Sequence, residues 1–280
     1  MAVEHLYKEI IGSDNRLMAC DIHYNGDGQN MPIAIFAHGY KGFKDFGAWK
    51  MIGNQMAEQG IVFVRFNFSH NGTSIENPSE FDDLDAFGRN NYSKEVDDFN
   101  IIIDHIYDLA TKTENWNAEN ICIIGHSRGG GISILNANEN KLVTSLITWA
   151  AINSMSNRMP TGEELEKWKE SGVRYVLNGR TKQQMPHYYQ FHEDFILNQS
   201  RLDIEKAAVS LQKPWLIIHG DNDEAVPLND AIELNQLNPL SKLEIISNGS
   251  HTFSISHPWN KELTSEMQLV TDMSIKFIKQ

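Results

Sequence analysis

The stretch Ile121-Cys122-Ile123-Ile124-Gly125-His126-Ser127-Arg128-Gly129-Gly130-Gly131 constrains this chain more than any other. An apolar run stops at Gly125, a serine follows two residues later between glycines, and a helix-like segment covers residues 132–138. Strand, tight turn and helix is the context in which G-x-S-x-G forms a nucleophile elbow, a turn that lifts the serine Oγ clear of the strand ends. Gly125 and Gly129 make room where the strand and helix backbones crowd that turn. Gly and Ser are common, so the bare pattern arises by chance in about one chain in ten of this length. A glycine-rich loop ahead of a helix is the plain alternative, and the reading depends on partners elsewhere.

The rest of the chain supplies a frame for such a turn. Residues 6–10 and 16–24 alternate apolar and polar around Gly12-Ser13-Asp14, which predicts an antiparallel hairpin at a sheet edge. Apolar runs over 32–37, 61–66, 142–151, 214–219 and 243–246 predict strands of a parallel sheet, buried on both faces. Helix-like stretches alternate with them. One ends near Gln59, one spans 93–110 with Val96, Phe99, Ile102, Ile103 and Ile106 at i, i+3, i+4 spacing, and the last covers 261–278. Residues 68–91 read as a polar loop crossing the mouth of a site. The fold class is α/β, a mostly parallel doubly wound sheet with an antiparallel N-terminal edge hairpin.

Between 152 and 212 the strand–helix rhythm breaks. Thr161-Gly162-Glu163-Glu164 reads as a capping box. Asn178-Gly179 reads as a tight turn joining 173–177 to a strand that begins at Arg180. His187, Tyr188, Tyr189, Phe191, His192 and Phe195 follow as a cluster, which either lines an acyl pocket or glues this segment to the body. Residues 1–151 and 213–280 are therefore read as two parts of one core, with 152–212 inserted as a cap.

Charge narrows the partners. With 37 acidic and 24 basic residues the formal net charge is −13, which opposes nucleic acid and anionic membrane surfaces, and neither is expected. No run has the length and apolarity of a signal peptide or membrane span, so a cytoplasmic location is the expectation. Cys20 and Cys122 sit in strand-like runs and read as buried free thiols, and no metal-ligand pattern appears.

A serine hydroxyl becomes a useful nucleophile when a base takes its proton and a third group orients that base. Imidazole suits the base, and a buried carboxylate suits the third role because it fixes the tautomer and stabilises the imidazolium. Ser127, Asp223 and His251 each lie in a loop after a buried strand, and such loops gather on one edge of a doubly wound sheet. The order Ser, Asp, His is that of hydrolases built on this fold. The loop His38-Gly39-Tyr40-Lys41-Gly42 also follows a strand, where it can turn N–H groups towards a developing oxyanion.

These four motifs, GHSRG at 125–129, HGYKG at 38–42, HGDNDEAVP at 219–227 and GSH at 249–251, resemble the α/β-hydrolase superfamily across nearly the whole chain outside the cap. The chain is most similar to dienelactone-hydrolase-like and cinnamoyl or feruloyl esterase-like members, and it also resembles serine aminopeptidase-like relatives. The resemblance implies Ser127 as nucleophile, His251 as general base and acid, and Asp223 as the orienting acid. It implies an oxyanion hole from the backbone N–H groups of Tyr40 and Arg128. Asp221 and Glu224 are rival acids and His257 a rival base; Asp223 is preferred because it fills the H-G-x-x-D position. His126 and His219 read as supports for neighbouring loops. The implied activity is a serine hydrolase that cleaves a small carboxylic ester through an acyl-enzyme and without a cofactor, and the aromatic residues of the cap point to an aromatic ester. A peptidase or amidase using the same triad, and a non-catalytic ligand-binding protein, are the alternatives. The partner expected is a small-molecule ester, and a homodimer is left open. The loop 65–74 matches the corresponding loop of many relatives only loosely.

Overall fold

The computed structural model describes residues 2–280. Its strands are β1 (Val3–Ile11), β2 (Leu17–Asn25), β3 (Met31–Ala37), β4 (Val62–Phe66), β5 (Trp116–His126), β6 (Ser145–Trp149), β7 (Val173–Leu177), β8 (Gln184–Tyr188), β9 (Trp215–Gly220) and β10 (Ser241–Ile246). Eight of them form one sheet in the order β1-β2-β4-β3-β5-β6-β9-β10, and β7 and β8 form a separate two-stranded sheet. β1 pairs antiparallel with β2, and β2 antiparallel with β4. Every later pairing in the large sheet is parallel. The expected α/β sheet with an antiparallel N-terminal edge is the sheet observed.

Period-two alternation sorts the buried strands between two cores. Ile33, Ile35, Ile121 and Ile123 face one side, where they meet Val96, Phe99, Ile102 and Ile103 of α3 (Tyr92–Ala110) and Ile132 and Leu135 of α4 (Arg128–Glu139). Ala34, Phe36, Cys122 and Ile124 face the other, against Trp49, Ile52 and Met56 of α1 (Trp49–Glu58) and Met267 and Val270 of the C-terminal helix (Ser265–Ile278). Each such side chain removed from water contributes about 1.5–3 kcal/mol. Cys20 and Cys122 are buried free thiols on opposite sides of the sheet, and burial pushes both up to about 12.

Several boundaries differ from expectation for local reasons. Residues 38–48 form turns, so α1 starts only at Trp49. The last helix starts at Ser265 because the Thr264 hydroxyl caps it by accepting from Met267 N at 3.2 Å. Residues 68–91 contain a short helix, α2 (Leu84–Gly88), and line neither of the cavities described below. They brace the inserted segment 152–212 instead: Tyr188 of β8 donates to Asp85 at 2.8 Å. Within the cap, α5 (Gly162–Ser171) follows Thr161 as expected, but the threonine side chain makes no capping bond. The turn after β7 is six residues long, because Asn178 accepts from Arg180 N with its side chain and closes the loop with backbone bonds to Lys182 and Gln183. Helix α6 (Gln190–Leu197) leads on from β8; α7 (Ile204–Ser210) packs against α4 and against α8 (Leu228–Leu237).

The elbow depends on its glycines. A Cβ on Gly125 would lie 2.2 Å from Gly129 O, and one on Gly129 would lie 2.4 Å from His38 O and 2.5 Å from Ala37 O. These neighbours are backbone and cannot rotate away. Gly129→Ala is therefore expected to destabilise the fold by about 3 kcal/mol, measured as a lower denaturant midpoint at unchanged m-value. An unshifted midpoint would show that the turn has slack.

Candidate active site

β3, β5, β9 and β10 run parallel, so the loops after them leave the same edge of the sheet. That edge collects all four motifs. Ser127 sits between β5 and α4 with φ 58° and ψ −122°, a backbone conformation that costs a residue with a side chain on the order of 1–3 kcal/mol. Its N–H bonds to Trp149 O at 2.9 Å, and its carbonyl accepts from Gly130 N at 3.0 Å, which holds the strained turn. The N-terminus of the twelve-residue α4 points its positive end at this place.

His251 Nε2 lies 3.0 Å from Ser127 Oγ, and His251 Nδ1 lies 2.9 Å from Asp223 Oδ2. The Asp223 side chain has no solvent exposure, whereas His251 keeps 15%. Asp223 Oδ1 accepts from Ala225 N and Val226 N, each at 2.8 Å. Burial pushes the Asp223 carboxyl up, but hydrogen bonds from His219 and His251, the His251 charge and the Val226 N–H outweigh it and hold the group far below the usual carboxylate range. An ionised Asp223 places the proton of neutral His251 on Nδ1 and leaves Nε2 free to accept from Ser127.

The rivals stand elsewhere. Asp221 accepts from Asn248 N at 2.6 Å, and Glu224 accepts from His251 N at 3.2 Å, so both carboxylates brace the backbone of the histidine loop. His257 Nδ1 accepts from Gly47 N at 3.0 Å, with its ring against Phe43 and Phe46. His126 Nε2 donates to His251 O at 2.8 Å, and His219 Nε2 bonds to Val226 O at 3.0 Å with Asp223 Oδ2 at 3.3 Å. Both are loop supports, as the sequence suggested.

Gly39 brings the HGYKG loop against the elbow: a Cβ there would lie 2.9 Å from Ser127 Cβ. Tyr40 is the next residue of that loop, so its N–H follows directly on the close approach. Arg128 is the first residue of α4, so its N–H has no carbonyl a turn earlier to bond.

Several contributors escaped the sequence reading. The Arg128 guanidinium lies under the Tyr40 ring, 4.2 Å from its centroid, and is flanked by Tyr92 at 5.1 Å. It pairs with buried Glu95 at 3.3 Å. Burial pushes the Glu95 carboxyl up against the opposing pull of Arg128 and Asn90. The Tyr40 hydroxyl shares a 2.6 Å hydrogen bond with His187 Nε2 on β8, which ties the 152–212 segment to the HGYKG loop. Two cavities meet at Ser127 and His251. The larger, about 420 Å³, lies between residues 152–212 and the body and is lined in part by Tyr40, Tyr92, His187 and Phe191. The smaller, about 170 Å³, lies between the HGYKG loop and the His251 loop, with Phe46 and Trp49 in its wall. His187 and Phe191 thus line a pocket, whereas Phe195 packs in the core and Tyr188 bonds the body. Among the described residues no helix is long and apolar enough to cross a membrane.

The model of the prolyl oligopeptidase family matches residues 54–265. The chain belongs to that family. Its sheet and loop order are those of the α/β-hydrolase superfamily that the motifs resembled. Among solved structures, Est1E from Butyrivibrio proteoclasticus superposes with a TM-score of 0.72 at 19% identity, covering 98% of this chain and 97% of that one. Est1E has also been solved with ferulic acid bound. Dienelactone hydrolase from Anabaena variabilis gives a TM-score of 0.65 at 12% identity, covering 100% of this chain and 98% of that one. The acylaminoacyl peptidase of Pyrococcus horikoshii gives 0.67 at 17% identity, covering 100% of this chain and 42% of that one. No curated protein matches the chain. As a member of this family the chain is similar to hydrolases, and its fold supports serine-hydrolase chemistry.

Proposed function

We propose that this prolyl oligopeptidase family member is a serine esterase for small carboxylic esters, with residues 152–212 acting as the cap over its pocket. The observation that carries the reading is the unbroken chain from Ser127 Oγ to His251 to buried Asp223 beside a cavity of about 420 Å³. In this reading Ser127 attacks the ester carbonyl while His251 takes its proton. The Tyr40 and Arg128 amides hold the oxyanion; in sites of this kind one such donor is worth about 3 kcal/mol. His251 then protonates the departing alcohol. Water entering beside the partly exposed imidazole is deprotonated by it and releases the acid from Ser127. Asp223 stays ionised throughout and keeps His251 in the required tautomer.

The family's name favours a peptidase as the second reading. Against it, the cavity is a small-molecule volume roofed by the chain's own cap rather than an extended groove. Its aromatic lining suits a flat acyl group, in keeping with the ferulic acid bound by Est1E. Two measurements test the proposal. A fluorophosphonate probe is expected to label the wild type on Ser127 and to leave Ser127→Ala unlabelled. Matched acetate ester and acetanilide substrates are expected to differ by at least a hundredfold in kcat/KM in favour of the ester. Equal rates would move the assignment to an amidase, and an unreactive Ser127 would remove the enzyme reading altogether.

A further inference from the structure

The chain carries an excess of 13 negative charges, yet none of the fifteen residues lining the larger cavity is acidic and four are cationic. Those four are Lys41, Arg128, Arg158 and Arg174. They come from separate parts of the fold: the HGYKG loop, the start of α4, and two segments of the cap. Their convergence on one cavity is therefore a property of the tertiary structure.

Not all four are available to a ligand. Arg128 is neutralised by buried Glu95, and Arg158 pairs with the largely buried Asp230 at 3.1 Å while also donating to Ala225 O. Among the described residues Arg174 has as its acid only Glu164, 3.1 Å away, whose side chain is 70% exposed and well screened by water. Its Nε is buried with no hydrogen-bond partner among the described residues, while its guanidinium lies 4.8 Å from the centre of the Trp168 ring. Lys41 has no acidic partner among the described residues: its Nζ meets the Leu177 carbonyl at 3.4 Å and sits 5.0 Å from the centre of the Tyr40 ring. Burial, and after it the Arg128 charge, lower the Lys41 pKa, and an adjacent anion would offset both. The same field reaches His187, which burial, Arg128, Arg174 and Lys41 together push down to about 3. A cleft with one sign of charge and low-dielectric walls concentrates ligands of the other sign.

We infer that the cavity under the cap is an anion subsite: Lys41 and Arg174 receive a carboxylate carried by the part of the ester that sits there. The inference deepens the esterase reading and rests on it. The substrates it selects are monoesters of dicarboxylic acids, or esters of hydroxy acids, rather than neutral esters of the same shape. The charge-assisted contacts are made at the remote carboxylate, so they orient the ester without entering the acyl-transfer step.

Two substrate pairs locate the charge. On the acyl side the pair is monomethyl glutarate and methyl pentanoate; on the alcohol side it is 4-acetoxybenzoate and its methyl ester. In one pair the charged member is expected to be preferred by tenfold or more in kcat/KM. That ratio should shrink in concentrated KCl, which screens the attraction. It should fall to about one or below in Lys41→Met combined with Arg174→Met, while Lys41→Arg keeps it. In parallel, glutarate is titrated into Ser127→Ala protein by calorimetry, with and without those two methionine substitutions. Binding that the substitutions abolish supports the subsite even if no ester is turned over. Ser127-dependent cleavage of the neutral esters without preference for either charged one, together with no glutarate binding, overturns the subsite and leaves the esterase standing. No turnover, an unlabelled Ser127 and no glutarate binding would remove both.

Discussion

Ser127→Ala, His251→Ala and the double variant are expected to retain nearly the same residual activity, each lower than wild type by about 10⁶ in kcat. The near-equality follows from the bonding. In the proposed mechanism Ser127 Oγ is a nucleophile only while His251 Nε2, 3.0 Å away, can take its proton, so losing either group removes the whole step. Two independent contributors would multiply their losses; two halves of one proton transfer do not. Asp223→Asn should cost less, about 10⁴, because it leaves both reacting groups in place and disturbs the tautomer and the stabilisation of imidazolium. The measurement is single-turnover and steady-state ester hydrolysis, with circular dichroism confirming that all four variants are folded. A Ser127→Ala protein with a tenth of wild-type activity, or a double variant far below either single, would show that the two residues are not a unit.

The parts of this site that the sequence revealed are those fixed by local chain logic. Ser127, Asp223, His251 and Tyr40 each follow a strand, so once β3, β5, β9 and β10 are read as parallel, their loops must share an edge. The strands themselves are legible because burial on both faces leaves unbroken apolar runs such as residues 121–124. Arg128 was read only as a backbone donor. Its partner Glu95 lies on another helix, and nothing in the spacing between them marks a pair. A faint signal existed: Glu95 and Asp98 fall on the same helical stripe as Phe99 and Ile102, and both acids are buried. The cationic lining was hidden because Lys41, Arg158 and Arg174 meet only through the cap, whose short elements carry little periodicity. The notional Asn178-Gly179 turn failed for a related reason. The Asn178 side chain organises a longer loop, a choice made by hydrogen bonding that a dipeptide signature does not encode.

Acidification between pH 6.5 and about 4 is expected to unfold the protein, before most of its carboxylates titrate. Five histidines, His23, His38, His70, His126 and His187, are almost fully buried. Burial is the largest cause lowering each of them, to about 4 for the first three and about 3 for the last two. Each is therefore neutral in the fold at pH 5 but protonated in the unfolded chain, where the ordinary value of 6.5 applies. Because the folded values are depressed, the stability they contribute is complete above pH 6.5 and is lost as the pH falls through the window towards the folded values. Each neutral imidazole then costs about 1.4 kcal/mol per unit of pH, or roughly 2 kcal/mol by pH 5. Five together reach on the order of 10 kcal/mol, as large as the whole stability of an ordinary domain. Asp223, held far below the usual carboxylate range, remains ionised throughout and does not share in this loss. Denaturant midpoints followed by tryptophan fluorescence at half-unit steps from pH 8 should therefore collapse below pH 6. His23→Gln, which retains an acceptor for the Arg65 Nε–H now bonded to His23 at 2.8 Å, should reduce the slope of stability against pH by about 1.4 kcal/mol per unit. A midpoint constant from pH 7.5 to 4.5 would mean that these imidazoles accept protons inside the fold, and the buried-histidine account would fail.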